Sequence, residues 1–155
     1  MNGDPLIATV CRQTPNPDFC TSILKSDPRT GTANINDLML ISIDLASFNA
    51  TATRVKIHSL LLGTTDPGLT EHLNDCANDY GSVVAFLDQA VQYLKSGDYG
   101  EVEIQGTSTY TLADDCEDSF SIKPAYQSPL TTDNYNMKNL GFIIVSIAYI
   151  LEQGA

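Results

Sequence analysis

Cys76 and Cys116 lie twenty residues on either side of Ser96, in a Ser96-Gly97-Asp98 breaker. If two helices meet at a turn there, residues equidistant from it face one another. The apolar spacing supports such a hairpin. Leu69, Leu73, Cys76, Tyr80, Val83, Leu87, Ala90 and Leu94 step by 4, 3, 4, 3, 4, 3 and 4. That is the stripe of a helix packed along a heptad-like seam. Val102, Gln105, Thr109, Leu112 and Cys116 step by 3, 4, 3 and 4 in a more polar version of the seam. Both cysteines fall on seam positions, so the geometry predicts a Cys76–Cys116 disulfide inside the hairpin.

The N-terminal segment holds a smaller copy of the same device. Cys11 and Cys20 are equidistant from the Pro15-Asn16 bond, within the turn signal Thr14-Pro15-Asn16-Pro17. A short helix over Pro5 to Val10 and another opening at Pro17 are predicted. Helices this short need a disulfide and a docking surface to persist, so Cys11 is paired with Cys20. Ser26 to Thr32 reads as a loop.

A long helix follows from about Asn34 to Leu62, with Leu38, Ile41, Leu45, Phe48, Ala52 and Val55 as its predicted seam. Asp66 and Pro67 supply an N-cap and a first helical residue for the Cys76 helix. The last helix runs from about Thr132 to Glu152. Its seam is Met137, Leu140, Ile144, Ile147 and Leu151, and the additional Phe142, Ile143, Val145 and Ile150 mark it as the most buried. The fold class is therefore all-α: an up-and-down four-helix bundle with an N-terminal disulfide-linked helical hairpin. It forms a single domain over 1–155, with the hairpin and loop in 1–33 and the bundle in 34–155.

No apolar run is long enough to span a bilayer. Four cysteines, each with a geometric partner, indicate an oxidising compartment and the secretory route. Met1 before Asn2-Gly3-Asp4 looks like an initiator placed on a trimmed mature chain. The net charge of −11 argues against nucleic acid and anionic membrane surfaces as partners.

Catalytic candidates fail one by one. The two histidines, His58 and His72, lack a spacing-matched ligand cluster, and solvated or edge positions are expected for both. No glycine-rich phosphate loop or nucleophile elbow occurs. The carboxylate runs Asp114-Asp115 and Glu117-Asp118 read as solvated helix faces rather than a glycosidase pair. The chain is read as no enzyme, with no metal and no cofactor. Asn49-Ala50-Thr51 is an N-glycosylation sequon, which makes Asn49 a candidate modification site.

Five stretches then converge. They are Cys11-Arg12-Gln13-Thr14-Pro15-Asn16-Pro17-Asp18-Phe19-Cys20, Ser26-Asp27-Pro28-Arg29, Cys76 with Tyr80, Lys95-Ser96-Gly97-Asp98-Tyr99, and Cys116-Glu117-Asp118-Ser119-Phe120. In these the chain resembles, over nearly its whole length, the plant inhibitors of invertase and pectin methylesterase. The resemblance implies a secreted or cell-wall inhibitor, monomeric when free, that occludes its target's substrate cleft in a one-to-one complex. Invertase inhibitors of that family carry a Pro-Lys-Phe element at the breaker, whereas here Asp98 is followed by Tyr99-Gly100-Glu101. The resemblance therefore points to the pectin methylesterase branch. Acid invertase is the alternative target, and a structural or pollen-type bundle with no enzyme target is the alternative class. The positions matching the family's binding face are Asn78, Ser82, Asp115 and Asp118. Asp118 fits the pattern, while Asn78 and Ser82 stand where acidic residues are usual. Independently, Asn78 and Ser82 are four apart and Asp115 and Asp118 three apart on their helices, so each pair shares a face.

Overall fold

The computed structural model describes residues 1–154. Six helices account for the architecture: α1 (Gly3–Arg12), α2 (Pro17–Lys25), α3 (Ile35–Leu62), α4 (Pro67–Lys95), α5 (Tyr99–Ser119) and α6 (Thr131–Glu152). The starts of the long helices follow from local chemistry. Asn34 and Asp37 close a capping box ahead of α3, each side chain accepting from the other's backbone N–H. Asp66 accepts from the Gly68 and Leu69 N–H groups at the start of α4, with Pro67 in the first turn. Between α4 and α5, Gly97 takes φ +76°, a conformation a side chain disfavours, and the Asp98 N–H returns to the Tyr93 carbonyl at 2.9 Å.

α3 packs on α4 and α6, α4 on α5, and α5 on α6, giving the up-and-down bundle. α6 is the central element, since α1 and α2 also pack on it. Its seam residues Met137, Leu140, Ile144, Ile147 and Leu151 are all buried. Of its additional apolar residues Ile143 is buried, while Phe142, Val145 and Ile150 are only half-buried. The N-terminal hairpin docks through Leu6, Ile7 and Val10, and the buried Ser146 Oγ donates to the Val10 carbonyl at 2.8 Å. Both predicted disulfides are present: Cys11–Cys20 with Cα atoms 5.4 Å apart, and Cys76–Cys116 with Cα atoms 4.7 Å apart.

α5 and α6 cross closely enough to exclude side chains. A Cβ on Gly141 would lie 3.0 Å from the Gly106 carbonyl oxygen and the Tyr110 nitrogen. A Cβ on Gly106 would lie 3.2 Å from the Val145 nitrogen. Glycine weakens an isolated helix; here two glycines let two backbones touch.

Three expectations are corrected. The loop after α2 contains a short 3-10 helix, Pro28–Thr32, capped by Asp27. Arg29 ties it to α3, bridging Asp27 at 2.8 Å and Asp44 at 2.9 Å. The predicted α3 seam is inward only at Leu38 and Ile41. Leu45 is half-buried, and Phe48, Ala52 and Val55 are exposed. The buried stripe runs instead through Met39, Ser42, Ala46, Ala50, Thr53 and Ile57, whose small members let α3 approach its neighbours. On α5, Leu112 is half-buried and Ala113 takes the core position.

Candidate functional site

The Cys76–Cys116 disulfide is buried where α4 and α5 lie side by side. On the outer surface beside it Asn78, Asp115 and Asp118 are exposed and Ser82 is half-buried. Asp115 is brought against α4, where it meets a residue that sequence reasoning missed. Asp79 is 9 % exposed, and its Oδ2 has no hydrogen-bond donor. Burial, the facing Asp115 and the charge of Asp75 one turn away push its carboxyl up to about 7. The signal was available: Asp79 sits beside the seam residue Tyr80 and three residues from Cys76, where a polar side chain reaches the neighbouring helix.

Beneath this surface a polar knot joins three helices. Asn134, only 3 % exposed, accepts from the Tyr80 hydroxyl at 2.7 Å. Its Nδ2 donates to Glu117 Oε1 at 2.9 Å and to Cys116 Sγ at 3.3 Å. Glu117 also accepts from Ser128 Oγ at 2.8 Å and Thr131 Oγ1 at 2.6 Å. Burial raises the Glu117 carboxyl, but these three donors outweigh it and hold it below its ordinary range. Burial pushes the Tyr80 hydroxyl above its usual range, so it stays a donor. Asp114 pairs with Lys138 on α6 at 3.0 Å. The acidic run at the end of α5 is thus divided: Asp114 and Glu117 face α6 and hold the bundle, and Asp115 and Asp118 face outward.

His72 corrects the expectation of an edge position. It is 4 % exposed, donates from Nε2 to the Pro124 carbonyl at 2.8 Å, and packs against Phe120 and Tyr126. It pins the loop after α5 over the start of α4. His58 is exposed. Asn49 lies mid-helix and half-buried, with Nδ2 turned towards the Asp133 carbonyl and Met137 of α6. Among the described residues no group of three His, Cys, Asp or Glu is arranged to hold a metal, and no helix is long and apolar enough to cross a membrane. At the α4–α5 turn Ser96 Oγ donates to Asp98 Oδ2 at 2.9 Å and Tyr99 packs against the core. This turn closes the hairpin rather than projecting a loop.

The arrangement is an acidic and amide surface beside a buried disulfide. Residues 5–150 match the family model described as plant invertase/pectin methylesterase inhibitor. A pectinesterase inhibitor from Actinidia deliciosa is 34% identical over 146 residues, covering 94% of this chain and 79% of that protein. A putative invertase inhibitor from Platanus acerifolia is 31% identical over 144 residues, covering 92% and 80%. Among solved structures, a mutant form of a pectin methylesterase inhibitor from Arabidopsis superposes with a TM-score of 0.83 at 27% identity, over 93% of this chain and 95% of that one.

Proposed function

The chain belongs to the plant invertase/pectin methylesterase inhibitor family, and from that premise we propose that it is a secreted inhibitor of a cell-wall pectin methylesterase. The family consists of inhibitors of enzymes, not enzymes. In the proposed one-to-one complex the outer surface of α4 and α5 covers the cleft that receives the pectin chain. The observation that carries this reading is the pair of exposed carboxylates, Asp115 and Asp118, on a hairpin locked by a buried disulfide. A cleft that binds an acidic polysaccharide presents hydrogen-bond donors and positive charge, and outward carboxylates engage these by charge-assisted contacts. A surface already held by the disulfide and the Asn134 knot loses little conformational entropy on docking. Secretion is supported by the two disulfides, which persist in oxidising compartments.

Acid invertase is the second reading, favoured by the similarity to an invertase inhibitor. Against it, Tyr99 is half-buried and packs against the core, and Ser96 Oγ is tied to Asp98, so the turn is tight and carries no extended loop. Parallel assays against pectin methylesterase and acid invertase separate the two readings. Inhibition of the esterase alone is expected; inhibition of invertase alone would reverse the assignment. Within the esterase complex, Asp118→Ala and Asp115→Ala should each raise the dissociation constant about tenfold, or about 1.4 kcal/mol. Glu101→Ala, exposed at the opposite end of α5, should leave it unchanged. Calorimetry reads the affinity and circular dichroism the fold. Equal affinities for all four proteins would remove these residues from the interface.

A further inference from the structure

The outward side of α3 carries a second apolar stripe that the fold itself does not use. Phe48, Ala52, Val55, Ser59 and Leu62 step by 4, 3, 4 and 3, all are exposed, and only Ser59 among them is polar. Phe48 and Leu62 are each 77 % exposed and Val55 is 65 % exposed. Outward positions on a bundle helix are ordinarily polar. A heptad-spaced apolar seam facing water is a surface for another helix.

The charge around the seam indicates which helix. From Leu45 to Thr65 the chain has no Asp or Glu, in a protein of net charge −11. The same stretch carries Arg54, Lys56 and His58. Lys56 is already paired with Asp133 at 2.7 Å. α3 packs on α4 and α6 and stands diagonally across the bundle from α5. A second copy, equally acidic, approaches this side with its carboxylate-bearing α5 surface turned furthest away. Repulsion between copies is smallest there.

We propose that two copies of this chain associate back to back through α3, as antiparallel helices about a twofold axis near Val55. Val55 then packs on Val55 of the second copy, and Phe48 on its Leu62, because both are seven residues from the axis. Beside Phe48 the seam continues into a mainly apolar groove lined by Phe19, Ile23, Leu45 and Leu140, with Asn49 and Asn136 as its polar members, so the dimer is that of the chain without a glycan on Asn49. Covering these side chains on both copies removes on the order of 1,000 Å² from water, the lower end of specific interfaces. The association is therefore weak and reversible, and the dilute chain is monomeric. This departs from the sequence-based expectation of a plain monomer. It does not depend on which enzyme is inhibited, and it leaves both α5 surfaces outward.

Sedimentation of the whole protein from about 1 µM to about 500 µM brackets the affinity such an area supports. The expected result is a concentration-dependent dimer that strengthens as salt screens the net charge. Val55→Asp should remain monomeric with unchanged circular dichroism and unchanged enzyme inhibition. Val55→Cys, oxidised at high concentration, should yield a disulfide-linked dimer that reports the antiparallel register. A wild-type chain that stays monomeric throughout, or a dimer that survives Val55→Asp, overturns the proposal. Loss of the dimer in Val55→Asp without cross-linking of Val55→Cys overturns the register.

Discussion

Asp79 sets burial against charge within a single side chain. It is 9 % exposed, faces Asp115 across the α4–α5 boundary and has Asp75 one turn away. Its carboxyl rises from 3.8 to about 7, first through burial, then through Asp115 and Asp75. Because the folded-state value lies above the unfolded one, the protonated form is favoured by folding. Its contribution to stability is complete below about pH 4 and is lost as the pH rises through about 7. The site sits at the edge of the surface, so solvent screening trims the loss to about 1–2 kcal/mol. Asp79→Asn, which keeps the shape without the titration, should flatten this part of the curve. Urea unfolding at pH 5 and pH 8 measures it: the wild-type chain should lose more stability between the two than the variant. Equal losses would mean that Asp79 titrates as an ordinary surface carboxylate. This residue also marks where sequence reading stops. The spacing of Asn78, Ser82, Asp115 and Asp118 was legible as helix-face periodicity, and Asn78, Asp115 and Asp118 are exposed while Ser82 is half-buried. Which acid turns inward depends on how two helices are rotated against each other, and no single helix's pattern states that.

The same limit operates on whole elements. α4 was legible because one stripe of large apolar residues runs its length, and only Leu69 on that stripe falls short of full burial. α3 was not, because it has two stripes with helical spacing. The larger side chains, Phe48 and Val55, drew the assignment. The inward stripe consists largely of Ala46, Ala50, Ser42 and Thr53, which bury less area but allow closer backbone approach. Periodicity identifies a stripe; the fit between helices decides which stripe faces in. Glycines show the same competition between propensity and packing. Gly81→Ala adds a Cβ into open space in the middle of α4. It should stabilise the protein by about 0.5–1 kcal/mol through helix propensity alone. Gly141→Ala makes the same propensity change, but its Cβ meets Gly106 and Tyr110 backbone at 3.0 Å. It should destabilise by about 1–3 kcal/mol because α5 and α6 must move apart. Opposite signs in thermal or urea unfolding are the expected outcome. The same sign in both would mean that the α5–α6 crossing tolerates a methyl group.

Over the whole molecule the two disulfides do different work, and the difference follows from chain topology. Cys76–Cys116 closes a separation of 40 residues and ties two bundle helices at the end remote from their turn. Cys11–Cys20 closes only 9 residues within the hairpin that α1 and α2 form. Loop-closure entropy in the unfolded chain gives about 4 kcal/mol for the first and about 2.5 kcal/mol for the second. The structures left behind also differ. Without its bridge the hairpin keeps the buried Leu6, Ile7 and Val10 and the Ser146 hydrogen bond that dock it on α6. Without Cys76–Cys116, Asn134 Nδ2 loses its sulfur contact, and seam packing and the Tyr80–Asn134–Glu117 hydrogen bonds are what remain to hold this end of the α4–α5 pair. Replacing Cys76 and Cys116 together by Ala should therefore cost about 4 kcal/mol or more, the excess coming from the small cavity in the core. It should also weaken enzyme binding, because the carboxylates of α5 are then no longer fixed relative to α4. The Cys11/Cys20 double replacement should cost less and leave enzyme affinity intact, since no member of the proposed enzyme-binding surface lies on α1 or α2. Urea unfolding and calorimetry on both double variants test this directly. Equal stability losses, or an affinity loss confined to the hairpin variant, would show that the N-terminal hairpin, and not the α4–α5 lock, organises the binding surface.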